Sequence, residues 1–206
     1  SPYTLSLHDA LPILYCMSQN TKESLAKSLK RLMNTTPLTK ITINDIVRDC
    51  GVNRRTFYYH FQDIYALLEW IFATEIASVM DGNKTYQTWQ QGFLQIFLYL
   101  DQNRKMVLNT YNSIGREYLE SHLYNAVYNL VLDVVDEIAI DVNVSKEKKD
   151  FVINFYKFAF VGLLLDWIRT KMNKNPQQII DNLNNVVSGD IHRALLNCEI
   201  QSKDVL

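Results

Sequence analysis

Residues that break or reverse a chain are scarce in this sequence, with six Gly and four Pro among 206 positions. An all-β fold needs turns at short intervals, so this scarcity points to long helices. Apolar residues make up 48% of the chain and charged residues 21%, ordinary globular values that allow a sizeable buried core. The length suits one large domain, or a small module fused to a larger one.

Apolar periodicity supports an all-α fold of about nine helices. Leu25, Leu29, Leu32 and Met33 recur at helical spacing, giving a first helix over about Thr21 to Asn34, stopped by Thr35-Thr36-Pro37. A second helix begins at Thr42, where an acid three residues on, Asp45, favours the positive helix end. It closes near Cys50-Gly51, and Gly51 suits the left-handed conformation that ends a helix. A third, short helix follows from about Asn53, with Phe57 and Phe61 on one face. Three short helices, the last two joined by a tight glycine turn, are the signature of a helix-turn-helix. Further helices are expected from Ile64 to near Asp81-Gly82-Asn83, from Trp89, over Arg104 to Thr110, over Arg116 to Ala139, over Lys146 to Asn173 and over Pro176 to Asn197. Pro176 is tolerated in a first turn.

Residues 1–16 read differently. Pro2 and Pro12 interrupt helical periodicity, and no basic stretch precedes their apolar residues as a secretory signal requires. Met17 looks like a natural start, so 1–16 is expected to be a non-native or disordered extension. The domain division is then 17–64 for the helix-turn-helix and 65–206 for a helical body.

The net charge of −1 hides an asymmetry: residues 17–61 carry +5, and residues 62–206 carry −5. A basic segment on an acidic body suggests a polyanion-binding module. Cys16, Cys50 and Cys198 stand far apart, without disulfide or metal-ligand spacing, which fits the reducing cytoplasm. The densest apolar run, Phe158 to Leu165, is bounded by Lys157 and Asp166 and falls well short of the ~20 residues of a membrane span. His8, His60, His122 and His192 belong to no metal or nucleophile motif, and no Gly-rich phosphate loop is present. The chain therefore reads as neither an enzyme nor a metal or cofactor protein.

The segment from Thr42 to Phe61 carries the functional signal. A helix that enters the major groove needs polar N-terminal residues long enough to reach base edges, and Asn53, Arg54 and Arg55 sit there. Arg can bond bidentately to guanine. Thr56, Tyr58, Tyr59 and His60 can donate to phosphates, which fixes register, and Thr42 does so from the second helix. Phe57 and Phe61 are assigned to the core. The apolar helix around Phe151 to Ile168, with Gly162 allowing close approach, is assigned with the final helix to a dimer seam. The aromatics of the body, among them Trp89, Phe93, Tyr99, Phe155 and Trp167, are read one by one as core rather than pocket.

This segment resembles the DNA-binding domain of the TetR family of regulators. The family pattern is met at Thr42, Ile46, Gly51, Val52, Thr56, Phe57, Tyr58, His60 and Phe61. Cys50 stands where Ala is usual, Arg55 where many members have Gly, and Ile64 where a phosphate-binding Lys is frequent. Within the family, Leu163 to Arg169 followed by Asn175-Pro176 resembles a Firmicutes-type branch that includes regulators of dihydroxyacetone kinase operons. The resemblance implies a helical ligand-binding and dimerisation body, a homodimer on a near-palindromic double-stranded operator, and repression. It further implies an unknown small-molecule inducer or a partner protein as signal. The alternative is a regulator or co-activator whose body serves only as a protein-interaction module.

Overall fold

The computed structural model describes residues 7–79, 85–187 and 189–198. The helices are α1 (Leu7–Met33), α2 (Ile43–Cys50), α3 (Arg54–His60), α4 (Ile64–Val79) and α5 (Trp89–Gln102). They continue with α6 (Arg104–Tyr111), α7 (Arg116–Ile138), α8 (Lys146–Arg169), α9 (Pro176–Val187) and α10 (Asp190–Asn197). Short 3-10 turns fill Leu38–Lys40 and Ala139–Asp141. The all-α reading holds. Two compact units meet within α4, one up to Ile71 and one from Phe72 onward.

In the first unit α1 packs on α2 and α2 on α3. Leu25, Leu29, Ile46, Phe57 and Leu67 are wholly buried there. A buried polar tie fixes α1 against α2. The Ser28 hydroxyl, fully buried, lies 2.6 Å from an Asp49 carboxylate oxygen and 3.0 Å from the Ile46 carbonyl. Arg31 grips the same carboxylate through both Nε and Nη2. Donation from Arg31 and then Ser28 holds the Asp49 carboxyl below the usual range, because each bond favours the ionised form.

The second unit is built on the packing of α7 against α8, with α5 lying on α7 and α9. Aromatic rings form its centre. Phe93 and Phe160 lie 4.9 Å apart by ring centroids, and Phe97 meets Trp167 edge-on at 5.0 Å. Such pairs add to the area they bury. Trp89, Phe93, Phe97 and Trp167 are thus core, as expected, but Phe155 is 59% exposed. Tyr99 is buried, with no hydrogen-bond partner for its hydroxyl within 3.5 Å. Burial first, then the nearby Glu75 carboxylate, pushes that phenol far up.

Three boundaries differ from the sequence reading. The first helix begins at Leu7 rather than near Thr21, running through Pro12 in its second turn; residues 1–6 lie outside the described residues. Pro12 has no N–H to donate to the carbonyl of residue 8, so the helix forgoes that backbone bond as it passes. The eighth helix ends at Arg169 rather than Asn173, because Lys171 and Met172 take left-handed φ of 58° and 56°. Their carbonyls accept from Arg104, at 3.1 Å and 3.0 Å, and Met172 is buried. These contacts offset a backbone strain of about 1–2 kcal/mol per residue. The last expected helix is two, divided at Gly189 (φ 77°). The expected turn at Asp81-Gly82-Asn83 lies outside the described residues.

Among the described residues α8 alone is long and apolar enough to cross a membrane by length and composition. Its window of mean hydropathy 1.6 is 44% buried inside the protein. One face, with Val152, Ile153, Tyr156, Phe160 and Leu164, faces the core, while Phe151, Phe155, Phe158 and Leu163 face outward.

Candidate nucleic-acid interface

α2 opens with a reciprocal cap. The Asp45 backbone N–H donates to the Thr42 hydroxyl at 3.2 Å, and the Thr42 N–H donates to the Asp45 carboxylate at 3.0 Å. The Thr42 hydroxyl donates to that carboxylate at 2.6 Å. Chiefly through this bond, the Asp45 carboxyl is held below its ordinary range. Two otherwise orphaned backbone donors are satisfied in this way. Thr42 is therefore first a cap: its hydroxyl proton is already engaged. Arg48 turns back to Asp45 at 3.0 Å, as Arg31 does to Asp49, so two of the cations behind the +5 are held by carboxylates.

Gly51 closes α2 at φ 73°, its N–H donating to the Val47 carbonyl. No atom would meet an added Cβ there, so the need for glycine is conformational. The chain then enters α3 through Asn53, whose side-chain oxygen accepts from the Thr56 N–H at 2.8 Å and the Thr56 hydroxyl at 3.1 Å. The cap uses the oxygen of Asn53 and leaves its amide N–H groups as the part that can reach a base. Thr56, half-buried, is bound into the same cap.

Beyond the cap, Arg54, Arg55, Tyr58 and Tyr59 are all exposed. Arg54 is not loose. Its Nη2 donates to the Tyr58 hydroxyl at 3.0 Å, one helical turn on, and its guanidinium lies 5.5 Å from that ring centroid. Tyr58 itself leans edge-on against buried Phe57 at 5.8 Å. Tyr59 is 81% exposed, and its ring meets that of His60 edge-on at 4.9 Å. His60 is half-buried; burial, and secondarily Lys22, lowers its pKa from the ordinary 6.5. It is accordingly neutral at pH 7 and would meet a phosphate as an N–H donor. Phe57 and Phe61 are core, and Phe61 packs on Trp70 at 6.0 Å.

All eight residues singled out in the sequence thus lie on or beside one short capped helix and the start of its neighbour. The sequence reading missed the Ser28–Arg31–Asp49 tie and the Arg54–Tyr58 pair. Spacing could have exposed the second, since 54 and 58 are one turn apart; the first joins residues 18 to 21 apart.

A sequence model described as "Bacterial regulatory proteins, tetR family" matches residues 26–71, and one described as "Transcriptional regulator C-terminal region" matches 87–189. The chain belongs to the TetR family. This TetR-family transcriptional regulator is 36% identical over 84 residues to the HTH-type dhaKLM operon transcriptional activator DhaS of Lactococcus lactis subsp. lactis (strain IL1403). That alignment takes in 41% of the regulator and spans only 45% of the relative's length. A solved structure of a dihydroxyacetone kinase operon activator DhaS superposes with a TM-score of 0.68 at 25% identity, over 83% of this chain and 96% of that one. A TetR regulator from Streptococcus agalactiae 2603V shares the fold at a TM-score of 0.56 and 18% identity, over 86% and 98% of the two chains.

Proposed function

We propose that this regulator works as a cytoplasmic homodimer that selects a near-palindromic operator through α3, under control of a ligand or partner held by its body. One observation carries the DNA assignment: Arg54, Arg55, Tyr58 and Tyr59 stand exposed together on a helix fixed at its start by the Asn53 cap. In this reading Arg54, Arg55 and the Asn53 amide read bases. Tyr58, Tyr59, His60, Thr56 and the Thr42 end of α2 hold phosphates. Two copies would set their α3 helices in successive major grooves, about 34–36 Å apart.

The outward face of α8 supports the dimer. Phe151, Phe155 and Phe158 are 71%, 59% and 57% exposed, and an added Cβ at Gly162 would meet nothing. A contiguous apolar face of this kind calls for a protein or lipid cover. Beside it, a hollow of about 370 Å³ between α8 and α9 is lined by Leu163, Trp167, Ile179 and Val186 among others. The occupant assigned to that hollow is a side chain of the second copy.

Repression is what the family resemblance implies. Activation is a second reading, favoured by the printed description of the Lactococcus lactis relative as an operon activator. A fusion of the upstream promoter to a reporter separates them: deletion of the regulator raises expression under repression and lowers it under activation.

The whole reading is tested by titrating the protein against its own upstream intergenic DNA and a scrambled duplex at several salt concentrations. Tight binding to the first and weak binding to the second is expected. Equal binding to both, falling alike with salt, would leave only the electrostatic attraction of a basic head and defeat the proposal.

A further inference from the structure

In a helix-turn-helix the helix before the recognition helix crosses the DNA backbone. Here that helix, α2, carries two carboxylates, Asp45 and Asp49, against a single cation, Arg48. Asp49 is already gripped by Arg31 and Ser28. Asp45 stands in the first turn, at the end of α2 where a phosphate would approach. Its carboxyl is held ionised first by the Thr42 hydroxyl, then by the Thr42 N–H, and least by Arg48. A carboxylate there suits the positive end of the helix dipole but repels a phosphate. The two Thr42 groups that could donate to a phosphate both donate to Asp45 instead.

Arg48 answers that repulsion. Side chains on a helix lean toward its N-terminus, and Arg48 follows the lean from the last turn of α2 back to the first. There its Nη2 donates to Asp45 Oδ1 at 3.0 Å. Among the described residues Nε and Nη1 make no bond, and the side chain is 82% exposed. Arg31 differs, since both its Nε and its Nη2 are engaged by Asp49. An exposed pair one turn apart on a helix contributes little to stability, so folding of α2 does not depend on Arg48. Its open side presents the planar fork of donors that matches a phosphate.

We propose that Arg48 is the phosphate contact of α2, neutralising Asp45 with Nη2 and gripping a backbone phosphate with its remaining donors, while Thr42 serves as the cap. The inference rests on the reading of α3 as the base-reading helix and adds a residue to that interface. A phosphate contact fixes register and carries no sequence information. Arg48 accordingly supplies affinity common to all duplexes, and base choice stays with α3.

Fluorescence anisotropy with the full chain tests it, on the upstream intergenic duplex and its scrambled counterpart across a series of potassium chloride concentrations. In Arg48→Gln, affinity for both duplexes is expected to fall by the same factor, about tenfold, at an unchanged thermal midpoint. The slope of log affinity against log salt is expected to become shallower by about one for each bound copy of the chain. Arg48→Lys, which keeps the charge, should retain the wild-type slope and recover most of the loss. A wild-type slope in Arg48→Gln, a loss confined to the intergenic duplex, or a lysine variant no better than the glutamine one each overturns the assignment. The wild type separates this claim from the one beneath it. If it selects the intergenic duplex while Arg48→Gln keeps the wild-type slope, the role of Arg48 alone falls. If it does not select, the regulatory reading falls and the role of Arg48 with it.

Discussion

In the proposed interface, His60 would link protonation to DNA binding. Burial, with Lys22 second, lowers its pKa below 6.5 in the free protein, so it binds fewer protons when folded than when unfolded. Stability from this group is therefore complete above pH 6.5 and declines as pH falls toward the lowered value. A DNA phosphate beside the ring would act in the opposite direction, favouring the imidazolium. Affinity should then rise several-fold, by roughly three to ten times, as pH drops from 7.5 to 5.5. His60→Gln should flatten that rise, and fluorescence anisotropy across the pH range measures it. A flat wild-type profile would remove His60 from the phosphate contacts. The Arg54–Tyr58 pair makes a separate prediction. With the tyrosine hydroxyl holding Arg54 over one base, Tyr58→Phe should relax preference at a single operator position and Arg54→Ala should abolish it there, a discrimination of about 1–3 kcal/mol. A uniform loss on specific and random DNA would instead assign Tyr58 to phosphate alone.

At the scale of elements, local chemistry was the legible part. Thr42, Asp45 and Gly51 announced both ends of α2, and the cap and the left-handed closure stand where those residues place them. Gly51→Ala should therefore destabilise the head by about 1 kcal/mol through backbone strain alone, since its Cβ meets open space. Urea denaturation would show a lower midpoint with an unchanged slope, and a Gly51→Asn variant should lose less. What the sequence hid were endings made by tertiary contact. Lys171 and Met172 carry no sign of left-handed backbone; the stop is held by Arg104, which reaches from α6 to their carbonyls, together with the Met172 N–H on the Trp167 carbonyl and the Trp167 indole N–H on the Lys174 carbonyl, both at 2.8 Å. Gly189 did carry such a sign, but the apolar stripe of α9 concealed it. On α3 the motif disclosed which residues belong together, but not that Asn53 and Thr56 bind each other before any DNA arrives.

For the whole molecule, the proposed assembly rests on the exposed apolar side of α8. Phe155→Lys places a charge in the middle of the proposed seam, where an unpaired charge is costly to bury. The variant should sediment as a monomer at micromolar concentration while keeping its helical circular dichroism. Operator affinity should fall to that of a single half-site. A dimer that survives this change would move the seam elsewhere. Phe151 and Phe155 also show where residue-by-residue reading reaches its limit: an aromatic at helical spacing is core for one chain or for two, and periodicity does not distinguish them.

The placement of the three tryptophans gives the molecule a natural optical division. Trp70 lies in the DNA-binding unit against Phe61, while Trp89 and Trp167 are enclosed among the phenylalanines of the body. Replacing the two enclosed indoles by Phe would leave a single emitter in the head, and replacing Trp70 alone would leave emission only from the body. Events in one unit could then be timed against events in the other without attaching any dye.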